Sequence, residues 1–336
     1  MPRGGSFAAP MESLMQHPGL IAGFAGVVVA LLALDLGVFH RGSKAISNRE
    51  ALVWSGVWIG LAMAFSGLIY SQMGAESFAR FQSAYWIEKA LSVDNLFVIL
   101  LVFHYFNVGP ELQHKVLFYG ILGAIVMRAV FIFSGVELIR LTYLPECELA
   151  GHTLRINAVL TVFGLVLIGA GWKSWFATTE DDGEKDFAKS PGARLIHRLF
   201  RVSEHFDGDK FFTVQQGIRM ATPLLVVVAV VEFTDLLFAI DSIPAIFAIA
   251  PDDPLILYTS NIFAILGLRS LYFLLANSQD RFSRLKYGLA LILAFIGAKM
   301  VLAPLVHISS QVSLTVVGVV LAGSILASLL APVRSA

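Results

Sequence analysis

The stretch "VVEFTDLLFAIDSIPAIFAIA", residues 230–250, has the length and apolar character of a transmembrane helix, yet it contains three acidic residues. A helix needs about 20 apolar residues to cross a bilayer. An aspartate at the centre of such a helix costs roughly 2.5 to 3.5 kcal/mol on insertion scales. Glu232, Asp235 and Asp241 are therefore expected to have a function that offsets this cost.

The composition of the whole chain indicates an integral membrane protein. Of its 336 residues, 57% are hydrophobic and 14% are charged, and the mean hydropathy is +0.76. A soluble domain carries about 25% charged residues. Lysine plus arginine equals aspartate plus glutamate at 24 each, so the net charge does not indicate a nucleic-acid partner. The single cysteine, Cys147, excludes an internal disulfide and a cluster of thiolate metal ligands.

Apolar runs recur about nine times, which predicts an all-α polytopic membrane protein with about nine transmembrane helices. Each run should be helical because lipid offers no partners to backbone polar groups. Fifteen lysines and arginines fall on one side of this arrangement and four on the other. The positive-inside rule then places the N-terminus outside and the C-terminus in the cytoplasm. The predicted spans are residues 19–39, 51–70, 85–106, 115–136, 156–176, 222–250, 255–276, 286–305 and 312–331.

The third and sixth predicted spans carry related acidic motifs, which indicates an internal repeat. The segment "EKALSVDNLFVIL" (88–100) aligns with "DLLFAIDSIPAIF" (235–247). In both segments an acidic residue precedes an aspartate by six positions, and a small polar residue follows that aspartate. The paired positions are Glu88 with Asp235, Asp94 with Asp241, and Asn95 with Ser242.

The spans that follow these motifs are also related, so the repeat extends over three helices. The segment "ILGAIVMRAVFIF" (121–133) aligns with "IFAILGLRSLYFL" (262–274), which pairs Arg128 with Arg269. Two tandem units of three helices must cross the membrane in opposite senses, and such inverted repeats are common in secondary transporters. The predicted organisation is an extracytoplasmic N-terminus (1–18), peripheral helices 1 and 2 (19–70), repeat 1 (85–176), a cytoplasmic loop (177–219), repeat 2 (222–305) and a last transmembrane helix (312–331).

A proline in the sixth predicted span favours a break in that helix. Pro244 cannot donate a hydrogen bond to Ile240, and its ring crowds that carbonyl group. We therefore expect the carbonyl groups of residues 239–243 to lack regular helical partners and to be available to a cation. We also expect the side chains of Asp94 and Asp241 to approach within reach of one metal ion.

The repeated carboxylates predict a hard, oxygen-rich metal site at the middle of the membrane. Carboxylate, amide, hydroxyl and carbonyl oxygens suit Mg²⁺, Ca²⁺ or Mn²⁺ better than Zn²⁺ or Cu⁺. Neighbouring like charges favour protonation of the empty site, so metal binding would release protons. In an alternative interpretation, Arg128 and Arg269 form buried ion pairs with the acids, and the acids are then structural.

Other polar residues in or near the predicted spans have simpler interpretations. Lys89 and Lys173 are expected to extend toward the membrane surface from near the ends of their spans, whereas Lys299 lies deeper and is a candidate counter-ion. Asn261 is expected either to hydrogen-bond between helices or to line the ion path. Asp35 is expected either to be exposed near the inner end of the first span or to belong to the site.

The long connection at residues 177–219 contains two segments with their own signals. The segment "ARLIHRLFRV" (193–202) has apolar residues at helical spacing with arginines between them. It is interpreted as a cytoplasmic linker in preference to a helix lying on the inner leaflet. The segment "EHFDGDKFF" (204–212) combines acids with His205, and a solvated loop is preferred to a metal site.

Four motifs resemble those of the TerC/Alx family of integral membrane proteins. They are "EKALSVDNLFVIL" (88–100), "VEFTDLLFAIDSIPAIFAI" (231–249), "TSNIFAILGLRSLYFLL" (259–275) and "LAFIGAKM" (293–300). The resemblance extends from about residue 25 to residue 330 and includes "LDLGVF" (34–39) and "GDKFF" (208–212). It implies an inner-membrane protein of a family named for tellurium resistance, with bacterial members that act in manganese export. The family's acidic motif positions, which are the predicted metal ligands, fall on Glu88, Asp94, Asn95, Glu232, Asp235 and Asp241.

The leading hypothesis is a secondary transporter that exports Mn²⁺ in exchange for protons, with no tightly bound cofactor. Its expected partners are a divalent metal ion and the lipid bilayer, and no nucleic acid. An enzyme is not expected, because the aspartates lie in "SVDN" (92–95) and "FAID" (238–241) and lack the signatures of intramembrane aspartyl proteases. An ATP-driven pump is not expected either, because "GAGWKS" (169–174) lacks the spacing of a phosphate-binding loop. A membrane scaffold or assembly factor with structural acids is the alternative function.

Overall fold

Helices form nearly all of the described structure, in agreement with the predicted all-α class. The computed structural model describes residues 18–39, 48–145, 147–149, 152–154, 156–176, 186–251, 253–276, 285–306 and 308–330. The α-helices of this part are α1 (Pro18–Phe39), α2 (Asn48–Tyr105), α3 (Pro110–Leu141), α4 (Ala158–Phe176), α5 (Pro191–Leu199), α6 (Pro223–Phe247), α7 (Pro254–Leu266), α8 (Leu268–Ala276), α9 (Leu285–Leu302) and α10 (Ser310–Leu330). Two antiparallel hairpins are formed by β1 (Cys147–Leu149) with β2 (His152–Leu154) and by β3 (Phe212–Gln215) with β4 (Ile218–Ala221).

The described helices are those of a multi-pass membrane protein. Five of them, α2, α3, α4, α6 and most of α10, are long and apolar enough to cross a membrane. The pair α7 and α8 meets the same criterion as one span bent by 40°, which makes a sixth. Shorter apolar stretches lie in α1 (Ile21–Ala30) and α9 (Tyr287–Leu302). The all-α membrane fold is thus confirmed, whereas the nine spans and the inverted repeat stay predictions.

Helix α2 covers the predicted span 51–70 and all but the last residue of the predicted span 85–106, and the connection between them is also helical. It has 58 residues and one interruption at Gly74, where φ is 84° and ψ is −179°. Glycine is the residue that adopts this backbone conformation without a steric penalty. A straight helix of this length would measure about 87 Å, nearly three times the hydrocarbon thickness of about 30 Å. Gly74 therefore divides α2 into two stretches, each long enough for one crossing.

The predicted helix break at Pro244 is wrong. Helix α6 extends from Pro223 to Phe247 with Pro244 inside it. A proline removes one backbone hydrogen bond, here the bond to the carbonyl group of Ile240. The helix ends only three residues later, and the side chains around the proline, including Ala239, Ala245 and Phe247, are fully buried. Packing on all sides therefore compensates for one missing bond, as it commonly does in membrane helices.

Most of residues 193–202, which are interpreted as a cytoplasmic linker, form a packed helix, and their position relative to the membrane stays a prediction. Helix α5 lies against α6, and the backbone of Gly192 approaches Ala229 so closely that a β-carbon would overlap its carbonyl oxygen. Ala193 and Ile196 are buried in this contact. The helical spacing of the apolar residues thus correctly indicated a helix, and its apolar face packs against α6.

Residues 204–211 of the adjoining segment form a largely exposed loop, as predicted, and Phe212 begins β3. Lys210 pairs with Asp207 at 3.2 Å, and Lys115 at the start of α3 pairs with Asp209 at 3.0 Å. The carboxylate of Asp209 is 68% exposed, so the second contact joins a membrane helix to the solvated loop. Such exposed pairs contribute little to stability, about 0 to 1 kcal/mol each.

The central core lies where α2, α3, α6, α7 and α8 meet. Every residue of α7 except Tyr258 is buried. Helix α2 packs against α7 and α8, α3 packs against α6 and α7, and α4 packs against α9. Helices from residues 85–176 thus pair mainly with helices from residues 222–305, which are the two predicted repeat units.

Helices α4 and α9 approach closely because glycines lie at their contact. A β-carbon on Gly164 would lie 2.8 Å from the carbonyl oxygen of Gly297, and one on Gly297 would lie 2.5 Å from that of Gly164. Small residues allow such backbone contact, which is a main source of helix association in lipid. This contact joins the last helices of the two predicted units.

Replacing Gly164 with alanine should lower the free energy of unfolding by about 1 to 3 kcal/mol, because the extra methyl group forces α4 and α9 apart. The matched control is Gly169→Ala on the same helix, where a β-carbon would meet no atom within 4 Å. That substitution should be neutral or stabilising, since alanine favours a helix over glycine by about 1 kcal/mol. Thermal unfolding of the purified protein in detergent measures both variants, and equal effects would contradict the proposed contact.

Candidate membrane ion site

A buried arginine joins two predicted site acids at the centre of the core. The guanidinium group of Arg128 on α3 donates a short hydrogen bond to Glu88 on α2 and a bond of 2.8 Å to Oδ1 of Asn261 on α7. Its Nη2 atom lies 3.8 Å from Oδ1 of Asp235 on α6. Glu88, Arg128 and Asn261 have no exposed surface, and Asp235 has 9%. One cation therefore connects four helices, and these four residues are called the Arg128 cluster below.

The helices place these side chains inward for a simple reason. On α3, Ala124 and Ile132 lie one turn before and one turn after Arg128, and all three are buried on the same face. On α7, Asn261 lies in a helix that is surrounded by protein, so its amide must find its partner inside the core. The possibility that Arg128 pairs with the acids is therefore confirmed, and Asn261 hydrogen-bonds between helices.

Several polar atoms of this region are buried without a hydrogen-bond partner among the described residues. They include Oε2 of Glu88, Nδ2 of Asn261 and the hydroxyl oxygens of Ser92 and Ser242. Ser92 lies one turn after Glu88 on α2, and residues four apart on a helix are neighbours. A buried group without a partner costs about 1 to 3 kcal/mol. These oxygens are therefore suited to accept a ligand such as water or a hard cation.

Glu232 lies one turn before Asp235 on α6 and is half-buried. Its carboxylate rests directly against Gly123 of α3, where a β-carbon would overlap both carboxylate oxygens. Gly123 therefore leaves the space that Glu232 occupies. The sequence did not indicate the contact between Gly123 and Glu232, because a glycine in an apolar segment does not show which side chain will pack against it.

The structure brings three of the predicted ligands, Glu88, Glu232 and Asp235, to the contact of α2, α3 and α6. Asn95 lies further along α2 and is buried. The side chains of Asp94, Asp241 and Asp35 lie outside the described part. Among the described residues, no three histidine, cysteine, aspartate or glutamate side chains form a group that could hold a metal ion. The complete ligand set therefore stays a prediction.

The prediction that Lys89 extends to the membrane surface is wrong. Lys89 is only 8% exposed, and its Nζ donates a hydrogen bond of 3.2 Å to the carbonyl oxygen of Ala264. Ala264 lies in the last turn of α7, just before the bend at Gly267. A cation is favoured at a helix C-terminus because the last carbonyl groups there lack helical partners. Lys173 is exposed, as predicted, and Lys299 donates to Ser313 at 2.8 Å.

A second arginine, Arg269 on α8, lines the same small cavity as Asp235. Its Nη2 atom is 3.3 Å from Nδ1 of His114 at the start of α3. Arg269 and Asp235 line one small cavity of about 20 Å³ whose other walls are apolar. The alignment of Arg269 with Arg128 in the sequence indicated that Arg269 could lie near the acidic residues. Nothing in the sequence indicated that His114 would be its neighbour.

Two larger cavities lie at opposite ends of the acidic helices. One of about 410 Å³ lies at the ends of α2 and α8 and includes His104, Asn107 and Gln113. Another of about 350 Å³ lies between the ends of α3 and α9 and the residues that follow α6, and it includes Tyr143 and Asn157. Neither was indicated by sequence reasoning, since each is formed by helix ends that are distant in the chain.

The region of the chain that contains the acidic motifs matches a known family. A family model described as "Integral membrane protein TerC family" matches residues 73–336. This chain is a member of the TerC family. The matched region contains both acidic motifs and every residue of the Arg128 cluster, so the cluster is part of the family region.

Curated relatives extend the TerC likeness over nearly the whole chain. An uncharacterized membrane protein of Myxococcus xanthus is 44% identical over 313 residues, which cover 93% of this chain and 92% of the relative. Proteins whose names include the words "membrane-bound redox modulator Alx" are 43% identical in Salmonella typhi, over 89% of this chain and 90% of the relative, and 42% identical in Escherichia coli K12, over 89% and 91%. No solved structure gives a significant match.

Proposed function

We propose that this TerC-family protein is a secondary transporter, and not an enzyme, that exports a divalent metal ion from the cytoplasm in exchange for protons. The observation that carries the proposal is the Arg128 cluster, in which acids at equivalent positions of the two motifs, Glu88 and Asp235, share one arginine. Ionisable residues inside membrane helices are costly and typically mark ion pathways. The metal is cargo in this proposal, and no tightly bound cofactor is required.

The proposed ligands are hard oxygen donors on α2 and α6. Carboxylate and amide oxygens suit Mn²⁺, Mg²⁺ and Ca²⁺, and the resemblance of the acidic motifs to manganese exporters puts Mn²⁺ first. The unpartnered Oε2 atom of Glu88 supports a role of this acid beyond the ion pair with Arg128. The proposed ligand set is Glu88, Asp94, Asn95, Glu232, Asp235 and Asp241.

Exchange for protons follows from the charges that surround Arg128. Its single positive charge balances only one of the two carboxylates that it faces, Glu88 and Asp235, and Glu232 is one turn away. Excess negative charge is costly in a low-dielectric region, and in the proposal protons balance it when no metal is bound. A dication that enters the site would replace these protons, and their return would release the metal.

The proposal includes nine spans arranged as two inverted three-helix units. Gly74 divides α2 into two stretches, and α1, α9 and α10 would complete the count. The pairing of α2 with α7 and α8, of α3 with α6, and of α4 with α9 is the reciprocal pattern expected for two related units. The resemblance of the motifs supports a location in the inner membrane, and with nine spans the positive-inside rule predicts an N-terminus outside.

Metal flux into proteoliposomes tests the transport proposal directly. The purified protein is reconstituted, a pH gradient is imposed, and uptake of Mn²⁺, Mg²⁺ and Ca²⁺ is measured with an ion-sensitive dye. We expect Mn²⁺ uptake that depends on the protein and rises with the pH gradient. Equal signals in protein-free liposomes, or flux that ignores the gradient, would refute metal–proton exchange.

Neutral substitutions of the two acids that contact Arg128 should reduce transport without abolishing it. Glu88→Gln and Asp235→Asn each leave Arg128 with one remaining carboxylate, so we expect flux to fall about tenfold, or about 1.4 kcal/mol of barrier. Initial rates in the same liposomes measure the effect. The control is Glu204→Gln in the exposed loop, and wild-type flux in both acid variants would exclude Glu88 and Asp235 from the site.

A scaffold or assembly factor is the second candidate function, and the ion pairs of Arg128 favour it. A carboxylate held by a buried guanidinium group can serve structure alone. In that case the double variant Glu88→Gln, Arg128→Gln would remove one positive and one negative charge together, and function would be preserved. The two candidates are separated by metal flux, which a scaffold would not support.

A further inference from the structure

Two neighbouring cavities are both lined by residues of α2, α3 and α8. The larger, about 410 Å³, has a polar lining that includes His104, Asn107 and Gln113. The smaller, about 20 Å³, contains Asp235 and Arg269 and is otherwise apolar. The smaller one is called the Asp235 compartment below. In the orientation proposed above, the larger cavity is on the cytoplasmic side.

The same three helices form walls of both cavities. On each helix, the residue that faces the Asp235 compartment is three or four positions from the residue that faces the larger cavity. This spacing corresponds to about one helical turn, or 5.4 Å. The pairs are Ile99 and Phe103 on α2, Leu117 and Gln113 on α3, and Arg269 and Tyr272 on α8.

A thin layer of side chains separates the two cavities. The rings of Phe103 and Tyr272 meet edge to face with their centroids 5.5 Å apart. The hydroxyl group of Tyr272 donates a hydrogen bond of 3.1 Å to Oε1 of Gln113, whose amide group donates to the carbonyl oxygen of Val108 at 3.0 Å. Phe103, Gln113 and Tyr272 are called the inner layer below. The layer is one residue deep on each of the three helices, so rotation of the two rings of Phe103 and Tyr272 would connect the cavities.

We propose that the larger cavity receives a hydrated divalent cation from the cytoplasm and that the inner layer must open before the ion reaches Asp235. This inference rests on the proposed transport function. Water takes up about 30 Å³ per molecule in the liquid, so an ion with six waters needs roughly 180 Å³ for its shell. The larger cavity accommodates such a shell, whereas the Asp235 compartment has room for about one water molecule. The ion therefore exchanges water for protein oxygens at the inner layer.

The positive charge of Arg269 opposes the binding of cations in the Asp235 compartment. Its guanidinium group lines this compartment together with Asp235. Two positive charges in a region of low dielectric repel one another strongly. A dication therefore enters only when a carboxylate neutralises it, and Asp235 is the described carboxylate in the wall. This requirement opposes leakage of other cations through an open layer.

Cysteine accessibility tests the route, and the chain is well suited to it because Cys147 is its single cysteine. In a C147S background, N107C places a thiol in the larger cavity and L117C places one beyond the inner layer. A membrane-impermeant, positively charged thiosulfonate reagent is applied to inside-out and to right-side-out vesicles. We expect N107C to react from the cytoplasmic face alone, and L117C to react at least tenfold more slowly than N107C.

Opening the layer should then expose the deeper position. Adding Y272A to L117C should raise its labelling rate at least tenfold, whereas Y70A should not, because Tyr70 is 57% exposed on α2 and outside both cavities. The milder variant Q113A, which removes the partner of the Tyr272 hydroxyl, serves if Y272A does not fold. An unchanged L117C rate in the folded variants, or N107C labelling from the outside alone, would overturn the proposed route.

Failure of this inference can be told apart from failure of the transport proposal. Metal flux in proteoliposomes without cytoplasmic labelling of N107C would overturn the route and leave transport standing. Labelling of N107C in a protein that moves no metal would overturn the transport proposal and, with it, the role of the cavity as an entrance.

Discussion

Replacing Asp94 or Asp241 with asparagine should abolish Mn²⁺ export while the protein remains inserted in the membrane. Each change keeps the shape of the side chain and removes one negative charge. A dication held by carboxylates then loses Coulomb attraction, which low dielectric makes large. The proton that the acid would carry on the return step is lost as well. We expect flux to fall at least about 100-fold, equivalent to about 2.7 kcal/mol of barrier.

Intracellular manganese in a strain that lacks other exporters measures this effect, with membrane expression checked by immunoblot. The matched control is Asp209→Asn, since that carboxylate is 68% exposed in the loop between α5 and β3. Suppose both central variants are expressed and still lower manganese as well as the wild type does. The carboxylates would then be structural, and the scaffold function would replace the transporter.

Replacing Arg128 with glutamine should destabilise the protein by about 3 to 5 kcal/mol, the range measured when one partner of a buried ion pair is removed. The variant would leave Glu88 without its cation and Asp235 without its nearest positive charge. It would also remove the donor to Asn261, so α2, α6 and α7 would each lose a polar contact with residue 128 of α3. Thermal unfolding in detergent, followed by size-exclusion chromatography, measures the loss.

A double variant separates the electrostatic cause from a general packing defect. Glu88→Gln added to Arg128→Gln removes both members of the closest pair, so it should recover a large part of the lost stability. The surface control is Arg198→Gln, because Arg198 is exposed on α5. A double variant as unstable as Arg128→Gln alone would mean that the shape of the arginine, and not its charge, supports the core.

Much of the membrane architecture could be predicted from the sequence, because lipid limits the choices of the chain. Apolar runs of sufficient length must be helical, and the acidic motifs within them identified the TerC family before any geometry was known. The same reasoning failed at Pro244, where a local rule predicted a break. It failed because fully buried neighbours such as Phe247 compensate for one missing hydrogen bond.

Other features were missed or wrongly predicted because they depend on contacts between helices that are distant in the sequence. Lys89 was assigned to the membrane surface from its place near a helix end, yet it is only 8% exposed and hydrogen-bonds the last turn of α7. The α5 segment showed a helical pattern, but nothing in that pattern identified α6 as its partner. Likewise, the inner layer joins side chains far apart in the chain, such as Gln113 and Tyr272, which are separated by 159 positions.

The charges of the membrane helices could be read directly from the sequence, and the predicted repeat pairs Glu88 with Asp235. Helical periodicity determines the face of the helix on which each charge lies. It does not determine which other helix packs against that face. The contacts of Arg128 with an acid 40 positions away and an amide 133 positions away could be seen in the folded protein alone. The physical reason is that a charge in lipid must find its partner within the protein, and assembly of α2, α3, α6 and α7 determines which partners are in reach.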